Sequence, residues 1–278
     1  MKADACLELG GVARARGVRL LSLGEVDSTN DEGKRLVAEG ERGPLWIVAG
    51  RQTRGRGRLG RQWVSTPGNL HASLVLSAGF IPSLAPQLGF VAGVALIDAV
   101  RRVSGLGERL ALKWPNDLLL DDGKLAGVLL EGLPIATGDP RSPNECVVVI
   151  GIGVNCASAP RGLPYPARAL SDADSGAPTA EELFAPLADA FVAALDRWAG
   201  GDGFGAIRDK WLESAAGLGQ PVRVMLAGDQ EVRGRFQTID ARGRMVVATG
   251  EGERVVDAGD VFLAHDESSV LEQSGLRS

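Results

Sequence analysis

Five arginines fall within eleven residues: Arg51, Arg54, Arg56, Arg58 and Arg61 punctuate "RQTRGRGRLGRQW", with no acid among them. Guanidinium groups grip phosphates and carboxylates through paired hydrogen bonds, so the run points to chemistry on an anionic ligand. Like charges this dense repel, and the glycines between them keep the chain supple. Such a loop is expected to be mobile when empty and to order around an anion. Residues 55–60, "GRGRLG", also spell G-x-G-x-x-G, the pattern of dinucleotide-binding turns. That turn needs a helix directly after its third glycine, so that the helix N-terminus meets the pyrophosphate. Trp63, Val64, Pro67 and Gly68 follow instead and make a poor helix start. Arg56 and Arg58 fill gaps where bare backbone should approach the ligand, and no acidic ribose partner ends a second strand. A nicotinamide-dependent dehydrogenase is therefore disfavoured. A Walker-type loop is absent, since no G-x-x-x-x-G-K-[ST] occurs.

The elements that must carry this loop can be read on either side of it. Ahead of it, "VDSTNDEGKRLVAEG" reads as a helix start with capping-box spacing at Thr29 and Glu32. "LWIVAGRQ" (45–52) reads as a buried strand. Behind it, "QWVSTPGNLHASLVLS" has a Pro67-Gly68 turn and then strand-like residues. Residues 84–104 form the longest apolar helix candidate. "LALKWPNDLLLDDGKLAGVLLEG" looks like two strands joined at Asp122-Gly123. "CVVVIGIGVN" is another buried strand, and "TAEELFAPLADAFVAALDRWAGG" a helix with a second capping box at Thr179 and Glu182. The first 17 or so residues have room for one short helix. After Leu218 short strands alternate with Gly-Asp, Arg-Gly and Gly-Glu turns, the pattern of a small β-barrel or sandwich. The expectation is a mixed α+β domain over 1–216 and a small all-β domain over 217–278, with a frayed tail.

Bulk properties narrow the function classes. A net charge of -5 argues against a global attraction to nucleic acid or anionic membrane, so the basic loop has a local purpose. Aromatic residues at 5% are too few for the stacking platforms of an RNA-binding rival. The three cysteines, Cys6, Cys146 and Cys156, are odd in number and never spaced C-x-x-C, which suits reduced thiols in a cytoplasm and no structural zinc site. No apolar run is long enough to span a membrane, and the first residues carry no signal-peptide pattern.

"GRGRLGRQW" resembles the G-R-G-R-x-G-R-x-W signature of biotin protein ligases, a string far more specific than its glycine spacing. "DSTN" (27–30) precedes it; "KWPNDLLL", "GKLAGVLLE" and "GIGVN" (151–155) follow in the family's order. The resemblance implies a catalytic domain with the core topology of class II aminoacyl-tRNA synthetases, a mixed sheet flanked by helices, plus an SH3-like C-terminal barrel. It implies a cytoplasmic enzyme that activates biotin with ATP and Mg2+ to biotinyl-5'-AMP. The biotin then passes to a lysine of a biotin carboxyl carrier protein domain of a carboxylase. Some relatives carry an N-terminal DNA-binding winged helix; this sequence shows no room for one, which implies a ligase without nucleic-acid partner. A homodimer through paired sheet edges is compatible with the pattern, though no residue marks it. The nearest rival is a lipoate or octanoate ligase, which shares the broad fold but has a different arginine-glycine motif.

Both steps of that reaction develop charge on phosphate and carboxyl oxygens, so the site needs fixed cations more than a protein nucleophile. The resemblance places Lys124 against the biotin carboxylate and the α-phosphate. By residue type alone, Lys124 could equally be a surface lysine after a hairpin. Gly127 would let the biotin tail lie close to the backbone. Gly55, Gly57, Arg56 and Arg58 are carried over as biotin and adenylate contacts, and Arg61 as a triphosphate contact. Trp63 either packs over the closed ligand or anchors the core. Gln52, Ser28, Thr29 and Asn30 offer the neutral donors and acceptors that a ureido ring requires, although Ser28 and Thr29 would also serve as helix caps. Asn116 and Asp117 follow Pro115 on a turn and suit Mg2+ or the ribose and adenine edge of ATP, with Asp117 as the metal ligand. Lys113 is a second lysine for phosphate, and Asn155 an adenosine neighbour. His71 sits where relatives often carry another aromatic, which leaves adenine stacking there open.

Overall fold

The computed structural model describes residues 7–77, 82–135, 145–173, 176–228 and 230–263. Seven strands form one sheet: β1 (Arg19–Val26), β2 (Leu45–Gln52), β3 (Leu70–Ser77), β4 (Leu110–Lys113), β5 (Asp117–Leu120), β6 (Gly123–Ile135) and β7 (Glu145–Val154). Their order is β1-β2-β3-β7-β6-β5-β4. The β1–β2 pair is parallel and the others are antiparallel, so the sheet is mixed. Five helices accompany it: α1 (Gly11–Ala15), α2 (Thr29–Ala38), α3 (Gln87–Ser104), α4 (Ala180–Trp198) and α5 (Phe204–Leu212). A second, antiparallel sheet has the order β11-β10-β9-β8-β12. Its strands are β8 (Pro221–Met225), β9 (Glu231–Ile239), β10 (Met245–Thr249), β11 (Gly252–Val256) and β12 (Asp260–Leu263).

Alternation along the strands assigns the two faces of the large sheet. Trp46, Val48, Leu74, Leu76, Val148, Ile150 and Ile152 point to one side and join α3 and α4 in the main core. There Trp46 meets Phe184 and Phe191 edge-on, with ring centroids 5.6 and 5.7 Å apart. Ile47, Val75, Val147 and Val149 point to the other side and pack with Val37 of α2 in a smaller cluster. Helix α2 lies close because Gly33 faces Val149; a Cβ there would sit 2.9 Å from that side chain. Beyond α2 this second face changes character: Val147 and Val149 give way to Gly151 and Gly153 along β7, and Val75 to Ser73 and His71 along β3.

Most of the expected elements are present, with instructive shifts. Strand 45–52 and the helix after Thr179 fall where the pattern places them. In the latter, the Thr179 hydroxyl accepts the Glu182 N–H and the Glu182 carboxylate accepts the Thr179 N–H, at 3.2 and 2.9 Å. The N-cap of α2 is Ser28, one residue earlier than expected: its Oγ accepts from the Asp31 N–H at 3.4 Å, which frees Thr29 for other work. Residues 110–135 form three strands, because a turn at 114–116 separates β4 from β5. The β5–β6 turn is Asp121-Asp122, with φ of 44° and 63°, as a two-residue primed hairpin requires. Gly123 already belongs to the strand and is bare because Arg168 lies against it; a Cβ would stand 2.4 Å from Arg168 Cγ. The short helix α5 was not anticipated. Cys146 and Cys156 are buried free thiols, and burial pushes Cys156 up to about 12. Cys6, His265 and the expected frayed tail lie outside the described residues. No helix among the described residues is long and apolar enough to cross a membrane.

The two sheets meet behind the 114–116 turn. Trp114 Nε1 donates to the Gly243 carbonyl at 3.1 Å, and Gly243 rests on the Phe90 ring. At the opposite end, Glu41 ties the α2–β2 connection to β1. Its carboxylate accepts the Arg19 guanidinium and the N–H groups of Gly43 and Arg42, at 2.7 and 2.8 Å for the two amides. These bonds lower its pKa from 4.5 to about 2. A depressed folded value stabilises the native state above the unfolded value and loses that contribution as pH falls through the folded one. Glu41→Gln should therefore flatten the decline in stability between pH 4.5 and 2, read from urea midpoints across that range. Parallel declines in variant and parent would show that Glu41 does not carry it.

Candidate active site

Register places a row of directly opposed residues across five strands: His71, Gly153, Gly127, Asp117 and Lys113. A second row runs Ser73, Gly151 and Leu129. Opposed residues share a face of an antiparallel ladder, so the α2 side of the sheet carries a strip of bare backbone between His71/Ser73 and Asp117/Lys113. The glycines answer a steric demand, not a dihedral one. A Cβ on Gly151 would lie 2.4 Å from Asn30 Oδ1, one on Gly153 2.5 Å from the Trp63 indole, and one on Gly127 3.3 Å from Lys124 Cε.

Lys124 reaches this face through a β-bulge. Leu118 pairs with Ala126 but Leu119 with Lys124, which leaves Leu125 as an extra residue in β6. Leu125 and Ala126 consequently both point into the core, and Lys124 and Gly127, three apart, share the opposite face. The Lys124 ammonium stands 2.8 Å from Asp117 Oδ1, 6.0 Å from the Trp63 ring centroid and 5.8 Å from that of Tyr165. Its backbone is fixed by a neighbouring segment: the Lys124 N–H donates to Pro166 O at 2.8 Å, and the Arg168 N–H donates to Lys124 O at 3.0 Å. Asn155 Nδ2 braces the same place, donating to Arg168 O at 3.1 Å and Lys124 O at 3.4 Å.

Ser28, Thr29 and Asn30 are all buried polar residues at the start of α2. The Thr29 N–H and hydroxyl both donate to Gln52 Oε1, at 2.9 and 3.1 Å, and Gln52 Nε2 donates to Ser65 Oγ at 3.1 Å. The Ser73 hydroxyl donates to Asn30 Oδ1 at 2.6 Å and stands 2.7 Å from Thr29 Oγ1.

The arginine loop is a tight hairpin, not a helix entrance. Gly57 N–H donates to Arg61 O at 2.7 Å and Trp63 N–H to Gly55 O at 2.9 Å, while Leu59 and Gly60 turn the tip with φ of 55° and 71°. Gly55 is required by contact, since a Cβ would lie 2.7 Å from Trp63 O. Acids remote in sequence neutralise the charges: Arg51 pairs with Glu25, Arg54 with Asp27, Arg56 with Asp31 and Glu131, and Arg61 with Asp260 at the start of β12. Arg58 donates to Asn116 Oδ1 at 3.2 Å. Burial pushes its guanidinium down, opposed by the carboxylates of Asp260 and Asp117. The loop carries Trp63 onto the strip, where its Nε1 is buried without a hydrogen-bond partner.

These positions revise several expectations. Arg58, Trp63, Lys124, Gly127, Asp117, Asn116 and Lys113 converge on the strip, and Ser28, Thr29, Asn30 and Gln52 gather beside it. In this structure Arg56 turns toward Asp31 and Glu131, and Arg61 toward Asp260, away from an open cleft of about 320 Å³ lined by Trp63, Lys124, Asn155 and Tyr165. Asn155 lines that cleft and also serves as a brace. His71 is buried beneath the site; burial lowers its pKa, and only the Thr66 backbone opposes this, so its ring offers no exposed stacking face. Sequence reasoning missed Ser73, Glu131, Tyr165 and Asp260. Tyr165 had a signal, being the chain's single tyrosine between two prolines in "LPYPAR". Glu131 closes the string "GKLAGVLLE", whereas Ser73 and Asp260 had no signal, because strand pairing and packing of the second sheet brought them in. Among the described residues no cluster of three or more His, Cys, Asp or Glu is placed to hold a metal ion.

Comparison with known proteins identifies the family. The profile described as biotin/lipoate A/B protein ligase family matches residues 24–155, and the biotin protein ligase C-terminal domain profile matches 217–264. A biotin–[acetyl-CoA-carboxylase] ligase of Paracoccus denitrificans is 39% identical over 248 residues, covering 86% of this chain and 98% of that protein. The chain belongs to the biotin protein ligase family. The Mycobacterium tuberculosis ligase of the same name is 33% identical and covers 77% of each chain. Among solved structures, biotin protein ligase from Aquifex aeolicus in complex with biotin and ATP superposes with a TM-score of 0.74 at 26% identity, over 88% of this chain and 99% of that one.

The packing of Trp63 on bare backbone can be tested directly. Gly153→Ala would put a methyl group into the indole, and should shift tryptophan emission to the red at unchanged far-UV circular dichroism. Unaltered emission would show that the ring does not rest there.

Proposed function

We propose that this chain activates biotin with ATP and transfers it to a lysine of a biotin carboxyl carrier domain. The carrying observation is a trough of bare backbone, roofed by Trp63, with neutral polar groups at one end and the Lys124–Asp117 pair at the other. A ureido ring needs both donors and acceptors, which Ser28, Thr29, Asn30 and Gln52 supply. The apolar tail would lie on Gly151, Gly153 and Gly127 under the indole, directing its carboxylate to Lys124.

A carboxylate oxygen of biotin attacks the α-phosphorus of ATP, and the bond to the pyrophosphate oxygen breaks. Lys124 and Arg58 offset charge on the carboxylate and phosphoryl oxygens; hydrogen bonds to charged groups contribute about 1.5–3 kcal/mol each. In the second step the carrier amine attacks the acyl carbon and loses its proton, and AMP leaves with the bonding electrons. Closure of the Arg58 hairpin would keep water from the mixed anhydride in the interval. Arg61 would join the triphosphate only by exchanging Asp260, whereas Arg56 meets Asp31 and Glu131 through Nη2 and would turn its other N–H groups to the adenylate while keeping those partners. The nucleotide would lie along the cleft lined by Lys124, Asn155 and Tyr165, with Asn116 and Lys113 reaching it from the strip. Mg2+ suits this site as a cation that takes most of its oxygen ligands from phosphates. Asp117 would be the protein's carboxylate; its buried Oδ1 has the Lys124 ammonium as close partner. Bound there, the metal would neutralise phosphate charge.

The same reading takes residues 1–216 as a class II synthetase-like catalytic domain and 217–278 as an SH3-like domain, in an enzyme of the cytoplasm. Pyrophosphate exchange with biotin, lipoate and octanoate offered separately tests the substrate. Biotin alone should support it, and exchange with lipoate or octanoate in its place would overturn the reading. Lys124→Ala should lower biotin-dependent exchange on the order of 100-fold or more at unchanged melting temperature. Full exchange by that variant would remove Lys124 from the chemistry. Arg58→Ala should release biotinyl-5'-AMP faster in a filter assay, and equal dissociation rates in variant and parent would contradict its role as a clamp.

A further inference from the structure

Glu131 belongs to neither end of the trough yet touches both the pocket and the hairpin. It stands on β6 opposite Val149, on the face shared by Leu129 and Gly127. Its carboxylate accepts from Asn30 Nδ2 at 2.9 Å, from Lys34 Nζ at 3.0 Å, and from Arg56 Nη2 at 3.1 and 3.2 Å. Burial would raise its pKa, but the Asn30 amide and the Lys34 and Arg56 cations outweigh it and keep the group charged. Through Asn30 the network continues to Ser73, Thr29 and Gln52. A closed ring of polar contacts therefore starts at Gln52, just before the hairpin, and returns at Arg56, within it. Every side chain between those two residues lines the pocket for the neutral head group or bonds to one that does.

We infer that Glu131 is a positioning residue that couples occupation of the ureido pocket to closure of the arginine hairpin, by holding the Asn30 amide and the Arg56 guanidinium on one carboxylate. A ligand that orders Thr29 and Asn30 fixes the carboxylate, and the carboxylate fixes the root of the hairpin. Asp31 gives Arg56 a second anchor at 2.6 Å, on the same helix as Asn30, so both anchors respond to that helix. The alternative is a structural charge cluster that clamps α2 to the sheet and has no bearing on the ligand.

This inference rests on the biotin reading, and the hairpin supplies its own probe, since its arginines are trypsin sites. Biotin binding is first measured by calorimetry in the parent and in Glu131→Gln, which keeps size and loses charge. Tryptic cleavage at the hairpin is then timed with and without biotin. The parent should be protected by biotin. Glu131→Gln should still bind biotin but show cleavage within about twofold of its unliganded rate, and should release biotinyl-5'-AMP about tenfold faster, the scale of one charge-assisted hydrogen bond. Glu131→Asp should restore part of the protection. Arg56→Ala breaks the same contact from the hairpin side and should lose protection likewise, which keeps the test available where Glu131→Gln folds poorly. Protection by biotin that survives in either variant would overturn the coupling and leave a structural clamp. A parent that binds no biotin would instead overturn the functional reading itself, and the coupling with it.

Discussion

The site depends on close approach of side chains to bare backbone. Gly127, Gly151 and Gly153 are extended residues that any amino acid could adopt, so their freedom of dihedral is irrelevant. What matters is the space above them. Asn30, Trp63 and Lys124 occupy that space from three separate segments, the first two at distances a methyl group would forbid and Lys124 at one it would crowd. The strip exists because one face of β7 and its neighbours stops being apolar at the N-terminal end of α2, while the other face continues as core under α3 and α4. One sheet therefore carries hydrophobic core on one side and a strip of bare backbone on the other.

A single extra residue gives that strip its charge. Without the bulge at Leu125, Lys124 and Gly127 would face opposite sides of β6, and the ammonium would be aimed into the core. The bulge turns Leu125 and Ala126 inward together and brings Lys124 over Asp117. The 164–169 segment then locks the bulge by pairing with the Lys124 backbone, and Asn155 spans the two. The position of one amine thus rests on bonds to the Lys124 backbone from the 164–169 segment and from the Asn155 side chain.

The arginine hairpin displays the complementary problem. Its charges are too close to sit stably alone, and the fold offsets them with Glu25, Asp27, Asp31, Glu131 and Asp260. In this structure the guanidinium groups of Arg51, Arg54, Arg56 and Arg61 thus already have carboxylate partners. Asp260 comes from the second sheet, so the C-terminal region takes part in the electrostatics of the hairpin. Arg58, which faces an amide, is the guanidinium that burial leaves most in need of an anion.

Much of this was legible in the sequence. Short apolar runs gave the buried strands at 45–52 and 146–155, the capping pair Thr179/Glu182 gave α4, and the nine residues from Gly55 to Trp63 pointed to the family. The turn at Asp121-Asp122 was read one residue late, because glycine in a hairpin usually marks the turn, and here it marks the contact with Arg168. The split of 110–120 into two strands was hidden, since each run is only four residues long and just three residues separate them. The sequence by itself determined the chemistry on offer: which cations, amides and glycines exist, and that a dinucleotide turn does not. Tertiary structure alone decided which of them meet. Ser73 and Asp260 join the site through strand register and packing of the second sheet, and contacts between residues so far apart leave no local pattern to read.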